Sequence, residues 1–299
     1  MTQPWEAERV VDPALALALI RDQFPDIAAT RAEPFGQGWD NTMLLVDGDL
    51  LFRFPRRQIA VRALAAEARV LPRIADALPL DVPRPVWIGE PTEAFAWPFI
   101  GYRMLRGRTG CGVGLTIEQR MAAAEPLAQF VRTLHEIDPG PVEPPPDELA
   151  RADLAGKRGV AIERLERVQA LGIVDDASPW MDRFDEPIPT APRARVLSHG
   201  DLYSRHILFD EHTRPCAVID WGDVHLGSPL VDLSLALMLL PEPAQARFFE
   251  IYGAVDDITL HLARLRGIWH AASELVYAHD IGDMDLLTEA RRSLDHLHT

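Results

Sequence analysis

Apolar and polar positions follow two different periods in the first third of the chain. Apolar residues recur at helical spacing across Ala14–Phe24 and Ile59–Ala77, and this spacing predicts two helices. Between them, Met43–Asp47 and Leu50–Phe54 are short apolar segments separated by a Gly48-Asp49 dipeptide. Such a pattern predicts two antiparallel strands joined by a tight turn.

Two further apolar segments, Val82–Gly89 and Phe95–Met104, predict additional strands, so that this part forms a small sheet of roughly five antiparallel strands with a helix. The remainder of the chain is dominated by apolar residues at helical spacing, which predicts a mainly helical part. The predicted helices are Ile117–Ile137, Leu149–Leu171, Pro229–Leu240, Ala244–Tyr252, Asp257–His279 and Asp285–Leu297.

A different pattern occupies residues 196–232. Short apolar runs at Arg195–Leu197 and Ala217–Ile219 each end at polar residues, His199-Gly200-Asp201 after the first run and Asp220 after the second. Strands that end on carboxylates hold those carboxylates rigidly. Phosphoryl transfer needs two such groups, one to accept a hydroxyl proton and one to hold a metal ion against the phosphates.

The spacing resembles the catalytic loop of protein kinases, with His206 where kinases have Asn and Ile219-Asp220-Trp221-Gly222 where they have Asp-Phe-Gly. His-Gly-Asp-Leu, Ile-Asp-Trp and the later Gly-Ser-Pro-Leu-Val-Asp together resemble the aminoglycoside and macrolide phosphotransferase family of antibiotic kinases. His206 is most similar to the 2″-aminoglycoside and macrolide branches. The resemblance implies a bilobal, protein-kinase-like α+β fold, with a small antiparallel sheet lobe carrying a helix and a larger, mainly helical lobe.

The resemblance also implies roles within this segment. Asp201 is the expected catalytic base, and Asp220 the expected ligand of Mg²⁺, a hard cation that prefers oxygen donors. Imidazole suits magnesium poorly, so His206 either binds the metal directly or only positions Asp201 or a water molecule. An ordinary capping or core histidine is the alternative. His199 is expected to support the catalytic loop rather than react, and Asp232 to anchor that loop by accepting backbone amides.

Nucleotide-binding residues are expected in the first part of the chain. Gly36 and Gly38 precede the predicted hairpin, where their backbone amides are expected to lie over phosphate oxygens. Kinases use a strand lysine as a phosphate-binding cation, but the single lysine of this chain lies elsewhere, which leaves Arg53 as the candidate. Arg53 alternates with two phenylalanines and therefore faces away from them, on a face that we expect to line the cleft. A solvated strand residue is the alternative. Glu67 resembles the helix glutamate that pairs with this cation.

The segment Tyr102–Gly107 resembles the hinge between the two lobes of a kinase. A purine base of ATP or GTP is expected to bond there to backbone groups near Arg103 and Leu105. This placement divides the chain into a nucleotide-binding domain at residues 1–105 and a catalytic, substrate-binding domain at residues 106–299.

The formal net charge of −15 is unevenly distributed, since residues 1–106 have a net charge of −2 and the remainder has −13. An acidic surface repels nucleic acid, which excludes that class of partner. Solubility alone accounts for such acidity in many proteins. The more specific hypothesis is that the acidic part of the chain binds a cationic small-molecule substrate.

No apolar run approaches the roughly 18 residues that a membrane span needs, so no membrane association is expected. The first residues lack the basic and then apolar pattern of a secretory signal. The two cysteines, Cys111 and Cys216, follow no metal or redox spacing, which favours a cytoplasmic protein. We expect a monomer or a homodimer.

His270 and Glu274 share a helix face, and with Asp280 and Asp283 they fall where the antibiotic kinases receive their substrate. Contact with substrate is a hypothesis for these four residues, and a surface pair is the alternative for His270 and Glu274. The predicted function is transfer of the γ-phosphoryl group of ATP or GTP to an aminoglycoside, macrolide or similar acceptor, with antibiotic resistance implied. The alternatives are a metabolite kinase for an amino alcohol or sugar, and a non-catalytic nucleotide-binding pseudokinase.

Overall fold

The computed structural model describes residues 7–37 and 40–298 of the chain, which fold into two compact units. The first unit contains residues up to Asp76 together with Val82–Leu105 and Trp221–Val224. The second unit contains Ala77–Asp81, Arg106–Asp220 and the residues from His225 onward. That residues 1–105 and 106–299 form two separate domains stays a prediction.

An antiparallel sheet forms the centre of the first unit, with strand order β1-β2-β3-β5-β4. The predicted sheet of roughly five strands is therefore confirmed. The elements of this unit are α1 (Pro13–Gln23), β1 (Ala32–Gln37), β2 (Asn41–Val46), β3 (Leu50–Pro55), α2 (Gln58–Ile74), β4 (Trp87–Gly89) and β5 (Phe99–Arg103).

The last two strands are shorter than the sequence pattern predicts. Strand β4 begins only at Trp87 rather than at Val82, because Pro83 and Pro85 lack the amide hydrogen that strand pairing requires. Strand β5 begins at Phe99, since the backbone before it is engaged in a turn in which Thr92 donates its amide hydrogen to the carbonyl of Phe95.

Alternation along β3 sends its side chains to opposite faces of the sheet. Phe52 and Phe54 are buried in one apolar cluster together with residues of α1. Leu51 is buried in a second cluster with Leu64 of α2. Arg53 lies on this second face, opposite the two phenylalanines as the sequence predicts.

The second unit is mainly helical and contains the strands that carry the catalytic segment. Strands β7 and β10 pair with each other, and β6, β8 and β9 form a three-stranded sheet. Its elements are β6 (Arg108–Thr109), α3 (Gly110–Val113), α4 (Ile117–Glu136), α5 (Leu154–Ala170), α6 (Ser178–Met181), β7 (Val196–Ser198), β8 (Ile207–Phe209), β9 (Pro215–Val218), β10 (His225–Gly227), α7 (Leu230–Leu239), α8 (Glu242–Tyr252), α9 (Asp257–Ile281) and α10 (Met284–Leu297).

Helix α9 is the core element of this unit and packs against α5, α7 and α10. Every residue of α7 is buried, so this helix is apolar on all sides except where Asp232 and Ser234 bond to neighbouring groups. Helix α5 begins at Leu154 rather than at the predicted Leu149, because Asp153 caps it by accepting the amide hydrogen of Gly156 at 2.9 Å. Among the described residues, no helix is long and apolar enough to span a membrane.

A buried ion pair links α4 to α10. Arg120 donates to both carboxylate oxygens of Glu289, at 2.7 and 2.6 Å, and also to the carbonyl of Leu239 at 2.9 Å. Both side chains are almost fully buried. Breaking a buried pair leaves an uncompensated charge, whereas replacing both partners by apolar groups removes the charge altogether.

We therefore predict that Glu289→Ala lowers the free energy of unfolding by about 3–5 kcal/mol, measured by chemical denaturation. The double substitution Arg120→Met with Glu289→Leu costs far less, because no charge stays buried. As a control, Glu136→Ala removes the exposed pair with Arg132 and changes the stability by about 0.5 kcal/mol or less. An equal loss in the Glu289→Ala and double variants contradicts this interpretation.

Candidate active site

The carboxylate of Asp232, in the first turn of α7, holds the catalytic loop. It accepts the backbone amide hydrogens of His199 at 2.8 Å and of Gly200 at 3.0 Å, which confirms the predicted anchoring role. His135 lies 3.2 Å away on the same carboxylate. Although burial alone raises the pKa of Asp232, the hydrogen bonds from His135 and from the backbone amide of Gly200 hold that pKa well below its usual range. Asp232 is therefore a fixed anion in the core.

Gly200 lets the loop turn between the two residues that flank it. Its φ of 90° lies in the region that favours glycine, so a side chain at this position is strained. The turn places the His199 ring on one side and the Asp201 carboxylate on the other. This local geometry explains why the motif needs Gly between His and Asp.

His199 joins the two segments that carry the candidate carboxylates. Its Nε2 donates to the carbonyl of Ile219 at 3.0 Å, and its Nδ1 accepts the amide hydrogen of Asp201 at 3.3 Å. Burial lowers the pKa of His199, so the ring is neutral, as these two bonds require. Because Asp220 directly follows Ile219, the two hydrogen bonds of His199 fix the positions of Asp201 and Asp220 relative to each other.

Asp201 keeps one part of its side chain open to solvent, with 28% of the side chain exposed. Its Oδ1 lies 3.1 Å from Nε2 of His270, and its Oδ2 lies 3.6 Å from Nδ1 of His206. Burial raises the pKa of Asp201, but the hydrogen bond that His270 donates and the positive charge of nearby Arg266 outweigh it and hold the pKa well below its usual range. Asp201 is therefore ionised at neutral pH.

His206 connects Asp201 to Asp220. Its Nδ1 donates to the backbone carbonyl of Asp201 at 2.7 Å, which leaves Nε2 of a neutral ring as the nitrogen with a lone pair. That Nε2 lies 3.4 Å from Oδ2 of Asp220. The two predicted metal-binding side chains are thus adjacent.

Asp220 adopts a left-handed backbone conformation, with φ of 62°. A residue other than glycine in this region costs of the order of 1–3 kcal/mol, and such strain is concentrated at functional sites. Its side chain is 50% exposed. The strained backbone directs this carboxylate to the side where His206 lies.

His270 and Glu274 are not the exposed surface pair that the sequence left open. Glu274 is only 6% exposed, and its Oε1 lies 3.1 Å from Nδ1 of His270. Both lie along one face of α9, and His270 on that face contacts Asp201 of the catalytic loop. Helix α9 is a core helix rather than a surface helix, since it packs against α5, α7 and α10. Of the other two predicted substrate residues, Asp280 is exposed beside His279, and Asp283 caps α10 while contacting Arg205 at 3.1 Å.

Arg53 and Glu67 form a buried ion pair in the first unit, with Nη1 of Arg53 2.7 Å from Oε2 of Glu67. The strand-to-helix pairing expected from the sequence is therefore present, and its role toward phosphate stays a prediction. Arg103 contacts Asp49 at 2.8 Å at the end of β5, and Leu105 is the last residue of its segment in this unit.

The structure describes one of the two candidate phosphate-binding glycines. Gly36 lies in β1 at a shift of register between β1 and β2. Gly38 lies outside the described residues.

Two residues of the site were missed in the sequence. Tyr203 packs edge-on against both His206 and His270, with ring centroids 4.4 and 4.9 Å apart. Arg266 donates to the carbonyl of Gly200 at 3.3 Å. Arg266, His270 and Glu274 follow one another at intervals of four, and this spacing is the signal that could have grouped them on one helix face.

Comparison with known proteins gives consistent similarities. The model of the family described as "Phosphotransferase enzyme family" matches residues 31–268. Uncharacterized protein YcbJ of Bacillus subtilis (strain 168) is 27% identical over 262 residues, which cover 79% of each chain. The aminoglycoside 3′-phosphotransferase of Streptomyces fradiae is 33% identical over 154 residues, 46% of this chain and 54% of that protein. The solved GDP and kanamycin complex of APH(2″)-IIIa superposes with a TM-score of 0.66 at 26% identity, covering 94% of this chain and 97% of that chain.

The lowered pKa of His199 predicts how stability depends on pH. In the unfolded chain a histidine takes up a proton near pH 6.5, whereas folded His199 does so only at lower pH. The stability that this histidine contributes is therefore complete above about pH 6.5 and is lost as the pH falls toward the lowered value. We predict that His199→Gln flattens the loss of melting temperature between pH 7.5 and 5.5.

His212→Gln is the matched control, because His212 is an exposed histidine. Its pH dependence of melting is expected to follow that of the unmodified chain. An unchanged pH dependence in His199→Gln contradicts the assignment of a buried, neutral His199.

Proposed function

Because the chain belongs to the phosphotransferase enzyme family and is a small-molecule kinase, we propose that it transfers the γ-phosphoryl group of ATP or GTP to a hydroxyl of a small cationic acceptor, with an aminoglycoside as the first candidate. In this reaction the acceptor oxygen bonds to the γ-phosphorus as the bond from that phosphorus to the bridging oxygen breaks. A nucleoside diphosphate leaves, and the hydroxyl proton passes to Asp201.

The observation that supports this proposal most strongly is the pair of hydrogen bonds by which His199 joins the segments that carry Asp201 and Asp220. An ionised Asp201 and a strained, half-exposed Asp220 are fixed relative to each other through two hydrogen bonds of one buried imidazole. Phosphoryl transfer depends mainly on positioning and charge stabilisation, so rigid placement of two carboxylates is what this chemistry needs.

The low pKa of Asp201 defines its proposed role. Burial opposes this shift, and the hydrogen bond from His270 together with the positive charge of Arg266 produces it. A carboxylate of this kind is a weak base, so it orients the acceptor hydroxyl first and takes its proton only late, when the oxygen has become more acidic. Because Oδ1 faces His270, Oδ2 is the oxygen proposed to receive the proton.

A magnesium ion fits the donors around Asp220. In proteins Mg²⁺ keeps several waters and takes one or two carboxylates together with substrate phosphates. Among the described residues, no three His, Cys, Asp or Glu side chains are grouped as a metal site, so phosphate oxygens and waters would complete the coordination. We propose Asp220 as the main ligand, with His206 ligating through Nε2 or orienting a water. When bound, the ion would offset the negative charge of the phosphates.

The proposed nucleotide-binding residues lie in the first unit. Arg53, aligned by Glu67, is proposed to supply a permanent positive charge for the phosphates, and Gly36 a backbone amide. The same role is proposed for Gly38 from the sequence alone. Backbone groups near Arg103 and Leu105 are proposed to bind the base. The GDP in the similar APH(2″)-IIIa structure makes GTP the first donor to test.

The acceptor is proposed to be cationic because the chain beyond residue 106 has a net charge of −13. A region of one charge sign concentrates ligands of the opposite sign. The kanamycin in the similar APH(2″)-IIIa complex is consistent with a polycationic acceptor, and it ranks aminoglycosides above macrolides and amino alcohols.

The direct test is a phosphorylation screen over aminoglycosides, macrolides and amino alcohols with ATP and GTP, followed by Asp201→Asn with the best acceptor. We predict a cationic best acceptor. In Asp201→Asn, turnover falls by about 10² or more while the affinity for nucleotide is retained, because the base is lost and the metal site is not.

Glu211→Gln is the matched control, since it makes the same chemical change at a side chain that is 86% exposed in the turn after β8. It is expected to leave turnover unchanged. A neutral or anionic best acceptor contradicts the proposed substrate class, and turnover of Asp201→Asn within a few fold of the unmodified enzyme contradicts the role of Asp201.

A further inference from the structure

One face of α9 presents three polar side chains to the catalytic loop. Arg266, His270 and Glu274 are spaced four residues apart, so they lie in a row along the helix. Arg266 donates to the carbonyl of Gly200 at 3.3 Å, and Nε2 of His270 lies 3.1 Å from Oδ1 of Asp201. Glu274 lies behind His270 and contacts its other nitrogen.

The proton positions in this row follow from what each atom can do. An ionised carboxylate only accepts hydrogen bonds, so His270 must carry a hydrogen on the Nε2 that faces Asp201. Burial lowers the pKa of His270, and the charge of Arg266 lowers it further, so the ring is neutral. Its Nδ1 then carries a lone pair and no hydrogen.

That lone pair faces Oε1 of Glu274 at 3.1 Å, and neither atom has another hydrogen-bond partner in the described part of the chain. Two acceptors cannot satisfy each other, and buried polar atoms in folded proteins are nearly always paired. A hydrogen between them must therefore come from Glu274. The charges that face Glu274 are those of Asp201, Glu289, Arg266 and Arg205, and burial is the main cause that raises its pKa well above the usual value, with Asp201 and Glu289 adding to it.

We propose that His270 is a positioning residue for Asp201, and that Glu274 is a neutral carboxylic acid that donates to Nδ1 of His270 and so fixes the tautomer that bonds Asp201. The inference rests on the proposed role of Asp201 as the base. It assigns His270 and Glu274 to the support of that base rather than to the binding of a cationic acceptor.

The consequence for Asp201 is a fixed orientation of its carboxylate. Oδ1 is engaged by His270, whereas Oδ2 lies 3.6 Å from Nδ1 of His206, and that nitrogen already donates to the backbone carbonyl of Asp201. Tyr203 lies edge-on against the rings of both histidines and limits their rotation. Oδ2 is therefore kept available for the acceptor hydroxyl.

Glu274 is poorly placed to bind a cationic acceptor. Its side chain is 6% exposed, and as a neutral acid it has no charge to offer. Asp280, 58% exposed near the end of the same helix, has the open placement that an acceptor-binding carboxylate needs.

The decisive comparison is Glu274→Gln against Glu274→Leu. The amide of glutamine donates a hydrogen to Nδ1 as a protonated glutamate does, so Glu274→Gln is expected to keep kcat within about threefold of the unmodified enzyme. Glu274→Leu fills the same space without a donor, and its kcat is expected to fall at least tenfold, with the acceptor KM changed by less than threefold. A kcat for Glu274→Gln as low as that of Glu274→Leu overturns the proposal, because Glu274 then acts as an anion.

A measurement independent of activity is ¹⁵N NMR of the histidine rings in the unmodified protein near pH 7, with His270 assigned through its contact with Tyr203. The proposal expects a neutral ring with its hydrogen on Nε2, in the unmodified protein and in Glu274→Gln. A hydrogen on Nδ1 alone, or a doubly protonated ring, overturns it.

His270→Phe separates this inference from the proposed function. If Asp201→Asn abolishes turnover and His270→Phe leaves kcat unchanged, the proposed function stands and the positioning role of His270 is wrong. If Asp201→Asn keeps its turnover, the proposed function fails, and the ring protonation seen by NMR still decides whether His270 donates to Asp201.

Discussion

The buried carboxylate of Asp232 is the constraint on which the rest of the site depends. It accepts the amide hydrogens of His199 and Gly200, two donors that would otherwise be buried without partners. Its position in the first turn of α7 adds a favourable interaction with the helix dipole. With these amides fixed, the ring of His199 reaches the carbonyl of Ile219, and the placement of Asp201 and Asp220 follows.

The site also shows how one small region keeps acids in different protonation states. Burial raises the pKa of Asp201, Asp232 and Glu274 alike. The two aspartates nonetheless have lowered values, because backbone amides, histidines or Arg266 donate to or surround them. For Glu274 burial is the main cause and the negative charges of Asp201 and Glu289 add to it, which outweighs Arg266 and Arg205, so its pKa is raised. Hydrogen-bond donors, rather than burial, therefore decide which carboxyl group is ionised.

The sequence was most informative where a motif and a backbone period agreed. The segment 196–232 predicted the family, and the similarity to APH(2″)-IIIa and the matching family model confirm it together with the protein-kinase-like α+β fold. Alternation along β3 correctly placed Arg53 opposite its phenylalanines. The role of α9 was missed, because a row of polar residues at intervals of four is typical of exposed helices. Only the packing of α5, α7 and α10 around α9 makes that row internal.

The most direct test of this account is Asp232→Asn, studied by amide hydrogen exchange at His199 and Gly200 together with turnover. Asparagine fills the same space but offers one acceptor oxygen and no charge. We expect the folded state to persist, the two amides to exchange at least tenfold faster, and turnover to fall by about tenfold or more, which corresponds to the loss of one charge-assisted hydrogen bond. Exchange and turnover equal to those of the unmodified protein would contradict the claim that Asp232 organises the site.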